Sequence, residues 1–258
     1  GVGVELTPKS PLKFSAMYGR LLKAVAYDGN PNTIAAYKRM GYGSKLSYEK
    51  PKYKLGIIGF YAKDQLNSLS LLPTNPDIAP KENFVWSFSA ESQLSKELRL
   101  YGEYSNSTVT EDLRAERTGT KAGFILDKTA STQSFSAIKA GFDFKVNKLS
   151  LGSSFERIDP NYHTLGAYFF SNDLKNIMLN IANSFLKDKL TLSANVGIQS
   201  DNLDNSKNAT SNRFVGTINA SAKLTEQLLT NFSFTNQSTT TNLRPNQFDE
   251  INQSRLQL

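Results

Sequence analysis

Apolar and polar side chains alternate with a period of two along almost the whole of this 258-residue chain. In the segment 83–93, NFVWSFSAESQ, the apolar side chains Phe84, Trp86 and Phe88 share one face, and serine, asparagine and glutamate occupy the other. Successive side chains of a β-strand point to opposite sides, so this alternation predicts strands with two chemically different faces. No segment shows the 3.6-residue apolar spacing of a long helix, and we therefore predict an all-β protein.

Two kinds of connection join the alternating segments in strict succession. The short turns are centred near 10, 51, 95, 147, 188 and 226. The longer polar connections fall at 28–33, 64–82, 111–133, 158–173, 200–212 and 236–250. Short turns at one end, long loops at the other and one apolar face are typical of an antiparallel up-and-down transmembrane β-barrel.

At roughly 20 residues per strand and connection, the length predicts about 13 strands in a single transmembrane β-barrel domain covering residues 1–258. Bacterial single-chain barrels ordinarily close with an even number of strands. The chain also starts at the long-loop end, and Leu256 and Leu258 read as the start of a further strand. We therefore expect part of a larger barrel, incomplete at both ends. The alternative fold is a soluble, propeller-like β-repeat binding protein, because the short turns recur about every 40 residues.

Composition removes several classes of site. The absence of cysteine excludes disulfides and thiolate-bound metals, and no run of about 20 apolar residues could form a spanning helix. His163 is the single histidine and lies near Asp159, so an Asp–His base is the one catalytic pairing to consider. The acidic segment 201–208 lacks the glycine and distal glutamate of an EF-hand. We predict no enzyme activity, no cofactor and no metal.

Strand parity assigns the two faces. The charged residues on the polar side are predicted to face a lumen: Arg39, Lys45, Arg99, Glu103, Lys139, Asp143, Lys145, Glu156, Arg213 and Lys223. The apolar residues on the other side are predicted to face lipid: Phe84, Trp86, Phe88, Phe142, Phe144, Ile177, Leu179, Ile181, Leu192, Val196, Phe232 and Phe234. Mixed signs favour pairing across strands, and the basic excess leaves a weak anion preference open.

In overall texture the chain resembles outer-membrane β-barrels of Bacteroidota-type bacteria. The resemblance rests on an asparagine- and lysine-rich style, in stretches such as AYKRMGYGSKLSYEK (36–50) and LTLSANVGIQSDNLDN (190–205). It implies a Gram-negative outer-membrane location and indicates neither a substrate nor a catalytic residue.

These observations predict a solute channel with a mixed-charge, slightly basic lumen. The alternative function is a structural or accessory barrel of a multi-protein envelope complex for secretion or assembly. The expected partners are outer-membrane lipid and lipopolysaccharide, and other envelope proteins in the second case. Nucleic acid is not expected, because the net charge of +7 is distributed by strand parity and forms no single basic patch.

Overall fold

A computed structural model describes residues 1–28, 30, 34–72, 78–167, 169, 171–225, 227–243 and the backbone of 251–257. Its strands in chain order are β1 (Val2–Leu6), β2 (Leu12–Leu22), β3 (Arg39–Lys50), β4 (Tyr53–Asp64), β5 (Glu82–Gln93), β6 (Leu98–Thr110), β7 (Arg117–Ala122), β8 (Leu126–Thr129), β9 (Thr132–Val146), β10 (Leu149–Ile158), β11 (Leu174–Phe185), β12 (Leu190–Ser200), β13 (Ala209–Lys223), β14 (Leu229–Leu243) and β15 (Ile251–Gln257). Among the described residues, a 3₁₀ turn covers Leu66–Ser68. Within the described ranges, no helix has the length and apolar character needed to cross a membrane.

Thirteen of these strands form one sheet in the order β1-β2-β3-β4-β5-β6-β9-β10-β11-β12-β13-β14-β15, and β7 pairs with β8 in a separate hairpin. Sequence neighbours are therefore sheet neighbours, as in an up-and-down meander. The prediction of an all-β antiparallel fold with about 13 strands is confirmed.

The short turns are tight where the sequence predicts them. Lys50 pairs with Tyr53 across Pro51-Lys52, and Val146 pairs with Leu149 across Asn147-Lys148. Asn147 has a φ of 53°, a left-handed conformation that asparagine tolerates in two-residue hairpins. The centre of the turn near 226 lies outside the described residues.

Two of the predicted long connections are wrong in part. The connection predicted to begin at 236 is strand as far as Leu243, because the register of β13 with β14 continues to the pair Ala209 and Leu243. The segment QSTTTNL has three consecutive threonines and only one apolar residue, so it lacks the apolar alternation that marks the other strands, although threonine favours β-strands. The connection at 111–133 contains the β7–β8 hairpin. Residues 244–250 lie outside the described part of the chain.

The chain divides into two compact units. Unit 1 comprises 1–90, 104–136 and 161–170, and unit 2 comprises 91–103, 137–160 and 171–258. In unit 1, pairing of Phe14 with Leu46 and of Leu46 with Ile57 builds an apolar face. The alternate positions, such as Ser15 opposite Lys45, build a polar one.

Unit 2 repeats this division of faces. Phe155 pairs with Ile177, and Ile177 pairs with Ile198 on the apolar face. On the polar face, Glu156 pairs directly with Lys139. From Leu190 to Ile198 the apolar positions of β12 cover about 26 Å of strand at ~3.3 Å per residue.

The apolar faces of both units are open to the surroundings. Ile57 is 55% exposed in unit 1, and Leu179 and Phe232 are 46% and 54% exposed in unit 2. The buried hydrophobic cluster among the described residues is small, and it joins two connections of unit 1 through Ala35, Tyr37 and Leu69. Most large apolar side chains thus lie outside a protein core.

Gly141 of β9 offers a test of this register. A Cβ there would lie 2.4 Å from the Tyr101 hydroxyl oxygen and 2.5 Å from the Ser153 carbonyl oxygen. We expect Gly141→Ala to lower the free energy of unfolding by about 1–3 kcal/mol, because the Ser153 backbone cannot yield without disturbing the ladder. Urea unfolding of the reconstituted protein measures this change.

Gly59→Ala is the matched control, since the nearest atom to a Cβ at Gly59 is the Ser44 hydroxyl at 4.0 Å. We expect it to be neutral or slightly stabilising, because alanine restricts the unfolded chain more than glycine. Equal unfolding midpoints for the two variants would contradict the close packing at Gly141.

Candidate functional site

The long connection after β10 folds back onto the polar face of unit 1. We call residues 161–167 the folded-in segment. Tyr162 is only 4% exposed, and its hydroxyl lies 2.7 Å from the Ser105 hydroxyl on β6. The Ser107 hydroxyl donates to the His163 carbonyl oxygen at 2.6 Å. Ser105 and Ser107 share one face of β6, so two successive polar-face positions hold this segment.

Asn83 on β5 makes hydrogen bonds that hold the folded-in segment in place. Its side chain is fully buried and accepts a hydrogen bond from the Leu165 backbone N–H at 3.0 Å. Its amide nitrogen donates to the Ser107 hydroxyl and to the Thr108 carbonyl oxygen, both at 2.9 Å. A buried amide with all of these partners fixes the position of the loop backbone relative to two strands.

Gly166 allows the segment to approach β4 closely. A Cβ at Gly166 would lie 2.7 Å from the Phe60 ring, which occupies the polar face. Phe60 also lines a cavity of about 520 Å³ on that face, together with Glu5, Met17 and Lys45. The folded-in segment therefore lies over the surface predicted to face a lumen.

His163 links the segment to the connection that follows β6. Its Nε2 lies 3.1 Å from Glu111 Oε1, and its Nδ1 lies 2.7 Å from the Asn161 carbonyl oxygen. Both neighbours are acceptors, so both ring nitrogens have to donate, and the geometry calls for an imidazolium. Lys81 contacts the same Glu111 carboxylate from the connection before β5.

The electrostatics of this cluster agree with its geometry. The hydrogen bond to Glu111 raises the pKa of His163 above its ordinary value, against the opposing effect of desolvation. The hydrogen bond from His163, with help from Lys81, lowers the pKa of the Glu111 carboxyl to about 2. The attraction is therefore fully present from above the lowered pKa of Glu111 up to about pH 6.5, the ordinary value for histidine, and it is lost as the pH rises through the raised pKa of His163.

The polar face of unit 2 carries paired charges. Arg99 donates to Glu91 at 2.9 Å and to Asp143 at 2.6 Å, so one guanidinium joins three strands. Lys139 and Glu156 are direct cross-strand partners. These pairs cancel opposite charges locally, as the mixed signs in the sequence favour.

Beyond β10 the polar face of unit 2 is mainly uncharged. Asn176 pairs with Gln199, Asn180 pairs with Asn195, and Thr217 pairs with Thr235. Arg213 lies on this face between Gln199 and Thr239. Most of this wall therefore offers hydroxyl and amide groups.

The register places the predicted residues on the two faces that parity assigns. Arg39 and Lys45 lie on the polar face of unit 1, where Arg39 donates to Asp64 at 2.8 Å. The other eight charged candidates lie on the polar face of unit 2: Arg99, Glu103, Lys139, Asp143, Lys145, Glu156, Arg213 and Lys223. Their exposure to a lumen stays a prediction.

The apolar candidates likewise share the apolar faces. Phe84, Trp86 and Phe88 belong to unit 1, and the remainder belong to unit 2: Phe142, Phe144, Ile177, Leu179, Ile181, Leu192, Val196, Phe232 and Phe234. Trp86 is partly buried, because Tyr104 and Phe124 lie against it at ring-centroid distances of 5.4 and 6.1 Å. Contact of these residues with lipid stays a prediction.

Aromatic residues border the apolar face of unit 1 at both ends. Towards the long connections, Tyr18 pairs with Tyr42, and the rings of Tyr42 and Tyr61 lie 5.0 Å apart. At the short turn, the rings of Tyr48 and Tyr53 stack at 6.0 Å. Such borders are typical of the two interfaces of a membrane.

Asp159 and His163, the pair considered for catalysis, each have partners within their own unit. Both ring nitrogens of His163 are occupied by other groups, and the Asp159 carboxylate pairs with Arg157 at 3.3 Å. The 201–208 connection uses its polar side chains for its own turn, since Asn202 accepts from the Lys207 N–H at 2.8 Å. No group of three metal-binding side chains occurs within the described ranges.

Sequence comparison adds no family: no family model and no curated protein matches the chain. Among solved structures, the chain is similar to OccK9 (OpdG) of Pseudomonas aeruginosa, with a TM-score of 0.45 and 13% identity over 98% of this chain and 64% of that chain. It is also similar to the copper transporter OprC, with a TM-score of 0.39 and 14% identity over 90% of this chain and 43% of that one. At these identities no residue role, solute or metal carries over to the present chain.

Removing the Asn83 side chain should release the folded-in segment. We expect Asn83→Ala to leave the Leu165 N–H without its acceptor, at a cost of about 1–3 kcal/mol. Hydrogen exchange of residues 161–167 should then become about 5- to 150-fold faster, since 1.4 kcal/mol is a factor of ten. Asn208→Ala, in an exposed part of another connection, should leave this exchange unchanged. Equal hydrogen-exchange protection of residues 161–167 in wild type and Asn83→Ala would show that Asn83 does not hold the segment in place.

The single histidine allows a direct test of the ion pair. We expect NMR titration of the His163 imidazole to give a pKa above the ordinary value of about 6.5. Glu111→Gln should lower that pKa, because it removes the negative charge and strongest acceptor beside Nε2. Glu116→Gln, an exposed carboxylate change in the same connection, is the control and should have no effect. A titration insensitive to Glu111→Gln would show that the pair does not form.

Proposed function

We propose that this chain is part of a β-barrel pore in the outer membrane of a Gram-negative bacterium, through which small polar solutes pass. The observation that carries the proposal is the difference between the two faces of the strands. One face is apolar, exposed and bordered by aromatic residues, and the other is polar and carries paired charges. A soluble antiparallel sheet would have to cover such a large apolar surface. Lipid provides that cover in a membrane, and strand pairing satisfies the backbone polar groups.

The dimensions of the apolar face support this location. Tyr53 and Tyr61 lie on the same face of β4, about 26 Å apart along the strand at ~3.3 Å per residue. Strands of membrane barrels tilt by about 35–45°, which reduces this height to roughly 20 Å. The known apolar band of outer-membrane barrels is about 25 Å tall, so the spacing of the aromatic borders is of the required size. The asparagine- and lysine-rich style favours a Bacteroidota-type source.

Selectivity by size is favoured over selectivity by charge. The fixed charges near Arg99 are paired with carboxylates, and the wall beyond β10 is largely amide and hydroxyl. A pore of this kind discriminates weakly between anions and cations, because the described strands place both signs of charge on the polar face. The folded-in segment covers part of the polar face of unit 1. We therefore propose that this segment limits the size of the solutes that pass.

Planar-bilayer conductance of the purified full-length protein tests the pore. We expect stable open channels with weak ion selectivity, and a larger unit conductance after Asn83→Ala, because the folded-in segment is released. A correctly folded protein that never conducts in the bilayer would overturn the pore and favour the accessory-barrel alternative. Co-purification with other envelope proteins would then be the next measurement.

Arg99→Gln tests the charge pairing in the pore wall. The change removes the positive charge that lies between the Glu91 and Asp143 carboxylates, so the reversal potential in a salt gradient should shift towards cation preference. Arg157→Gln is the matched control, because Arg157 lies on the opposite, apolar face of β10. A shift of the same size in both variants would contradict the assignment of the polar face to the lumen.

A further inference from the structure

The β7–β8 hairpin ends in an exposed apolar tip. Ala122 pairs with Leu126 across Gly123–Ile125, and Leu126 is buried at 1% exposure. Phe124 and Ile125 at the tip are 81% and 50% exposed. Phe124 has a φ of 73°, a conformation that is uncommon for bulky residues. A position that would suit glycine or asparagine thus presents an aromatic ring, which points to a contact made by that ring.

The tip lies on the apolar face of unit 1, opposite to the folded-in segment. Phe124 contacts Trp86 at 6.1 Å between ring centroids. A Cβ at Gly123 would lie 2.5 Å from the Thr108 hydroxyl, so the tip backbone rests on β6. Thr108 and Trp86 both belong to the apolar-face positions of their strands, whereas Asn83 and Ser107 belong to the polar ones.

The tip is level with the boundary of the apolar face. Leu100 and Tyr104 continue that face along β6, and the same parity then changes to Asn106, Thr108 and Thr110. Thr108 and Thr110 are fully buried, because the hairpin covers this polar stretch. Phe124 and Ile125 therefore emerge beside the aromatic border, at the level where a bilayer would change from acyl chains to headgroups.

The charges of the hairpin complement an anionic surface. Residues 117–129 carry Arg117, Lys121 and Lys128 against the single carboxylate of Asp127. The Arg117 side chain is 80% exposed, and Lys121, which contacts Asp127, is 62% exposed. Lysine and arginine beside exposed aromatic and aliphatic side chains are the combination that binds the interface of an anionic membrane.

We propose that this hairpin docks into the outer leaflet of the bilayer, with Phe124 and Ile125 at the acyl boundary and the three cations on phosphate groups of lipid A. The inference rests on the proposed membrane location and adds a specific lipid contact to it. The hairpin and the folded-in segment thereby have opposite roles: one contacts lipid outside the sheet and the other faces the solute inside.

The absence of cysteine allows single-site labelling of the complete protein. Phe124→Cys, Leu179→Cys and Phe169→Cys, each carrying the fluorophore NBD, would be reconstituted in phosphatidylcholine vesicles with nitroxide-labelled lipid. Phe169 is the matched control, an exposed phenylalanine of the connection after β10 that is 86% exposed. We expect quenching at 124 and 179 and no quenching at 169.

The pattern of quenching separates the two proposals. Quenching at 179 without quenching at 124 would overturn the hairpin contact and leave the membrane sheet standing. Absence of quenching at both positions in correctly folded protein would overturn the membrane location itself. An NBD blue shift at 124 that depends on protein density, without lipid quenching, would identify a second copy as the occupant and would also overturn the lipid contact.

The phosphate contact has its own measurement. Vesicles containing lipid A should shift the NBD emission at 124 further to the blue than vesicles with the same charge supplied by phosphatidylglycerol. The double change Lys121→Gln with Lys128→Gln should abolish this increment, while Lys148→Gln at a short turn should leave it intact. Equal shifts with both anionic lipids, or an increment that survives the double change, would overturn the assignment to lipid A.

Discussion

The antiparallel register is the constraint on which everything else in this protein depends. Because side chains alternate along a strand, a slip of one residue would exchange the two faces of the slipped strand. Ile177 opposite Ile198 and Asn176 opposite Gln199 are neighbouring pairs of a single ladder, yet they build surfaces of opposite chemistry. The same ladder satisfies the backbone donors and acceptors, which is the condition for a strand to enter lipid.

Strands β5 and β6 carry this separation of faces beyond the apolar region. After Tyr104 along β6, the polar-face residues Ser105 and Ser107 hold the folded-in segment. Thr108, on the other face, contacts the hairpin tip. One pair of strands therefore positions a loop on each side. Neither loop needs a separate domain, because each uses side chains that project from strands already fixed in the sheet.

Parity in the sequence predicts the strands of the large sheet and tight turns such as Pro51-Lys52, since these depend on neighbours in the chain, but it misses the β7–β8 hairpin and the part of β14 from 236 to 243. It could not predict the loop positions. Asn83 and Leu165 are 82 residues apart, and no local pattern marks that hydrogen bond. Tyr162 lies in a predicted polar connection, although its side chain is buried in the structure. The one available signal was negative: Asn83 and Ser107 place small polar groups on strands where charge is more usual for a water-facing surface.

The titratable groups on the polar face of unit 2 differ in kind from those of the folded-in segment. The paired charges of the polar face in unit 2 include Arg99, Glu91 and Asp143, and no histidine lies among them. His163 is the only histidine of the chain and lies in the folded-in segment, with Glu111 and Lys81 as its charged neighbours. Deprotonation of His163 therefore acts on the attachment of that segment through its bond to Glu111. Because the pKa of His163 is raised, the attachment weakens only as the pH rises through that raised value.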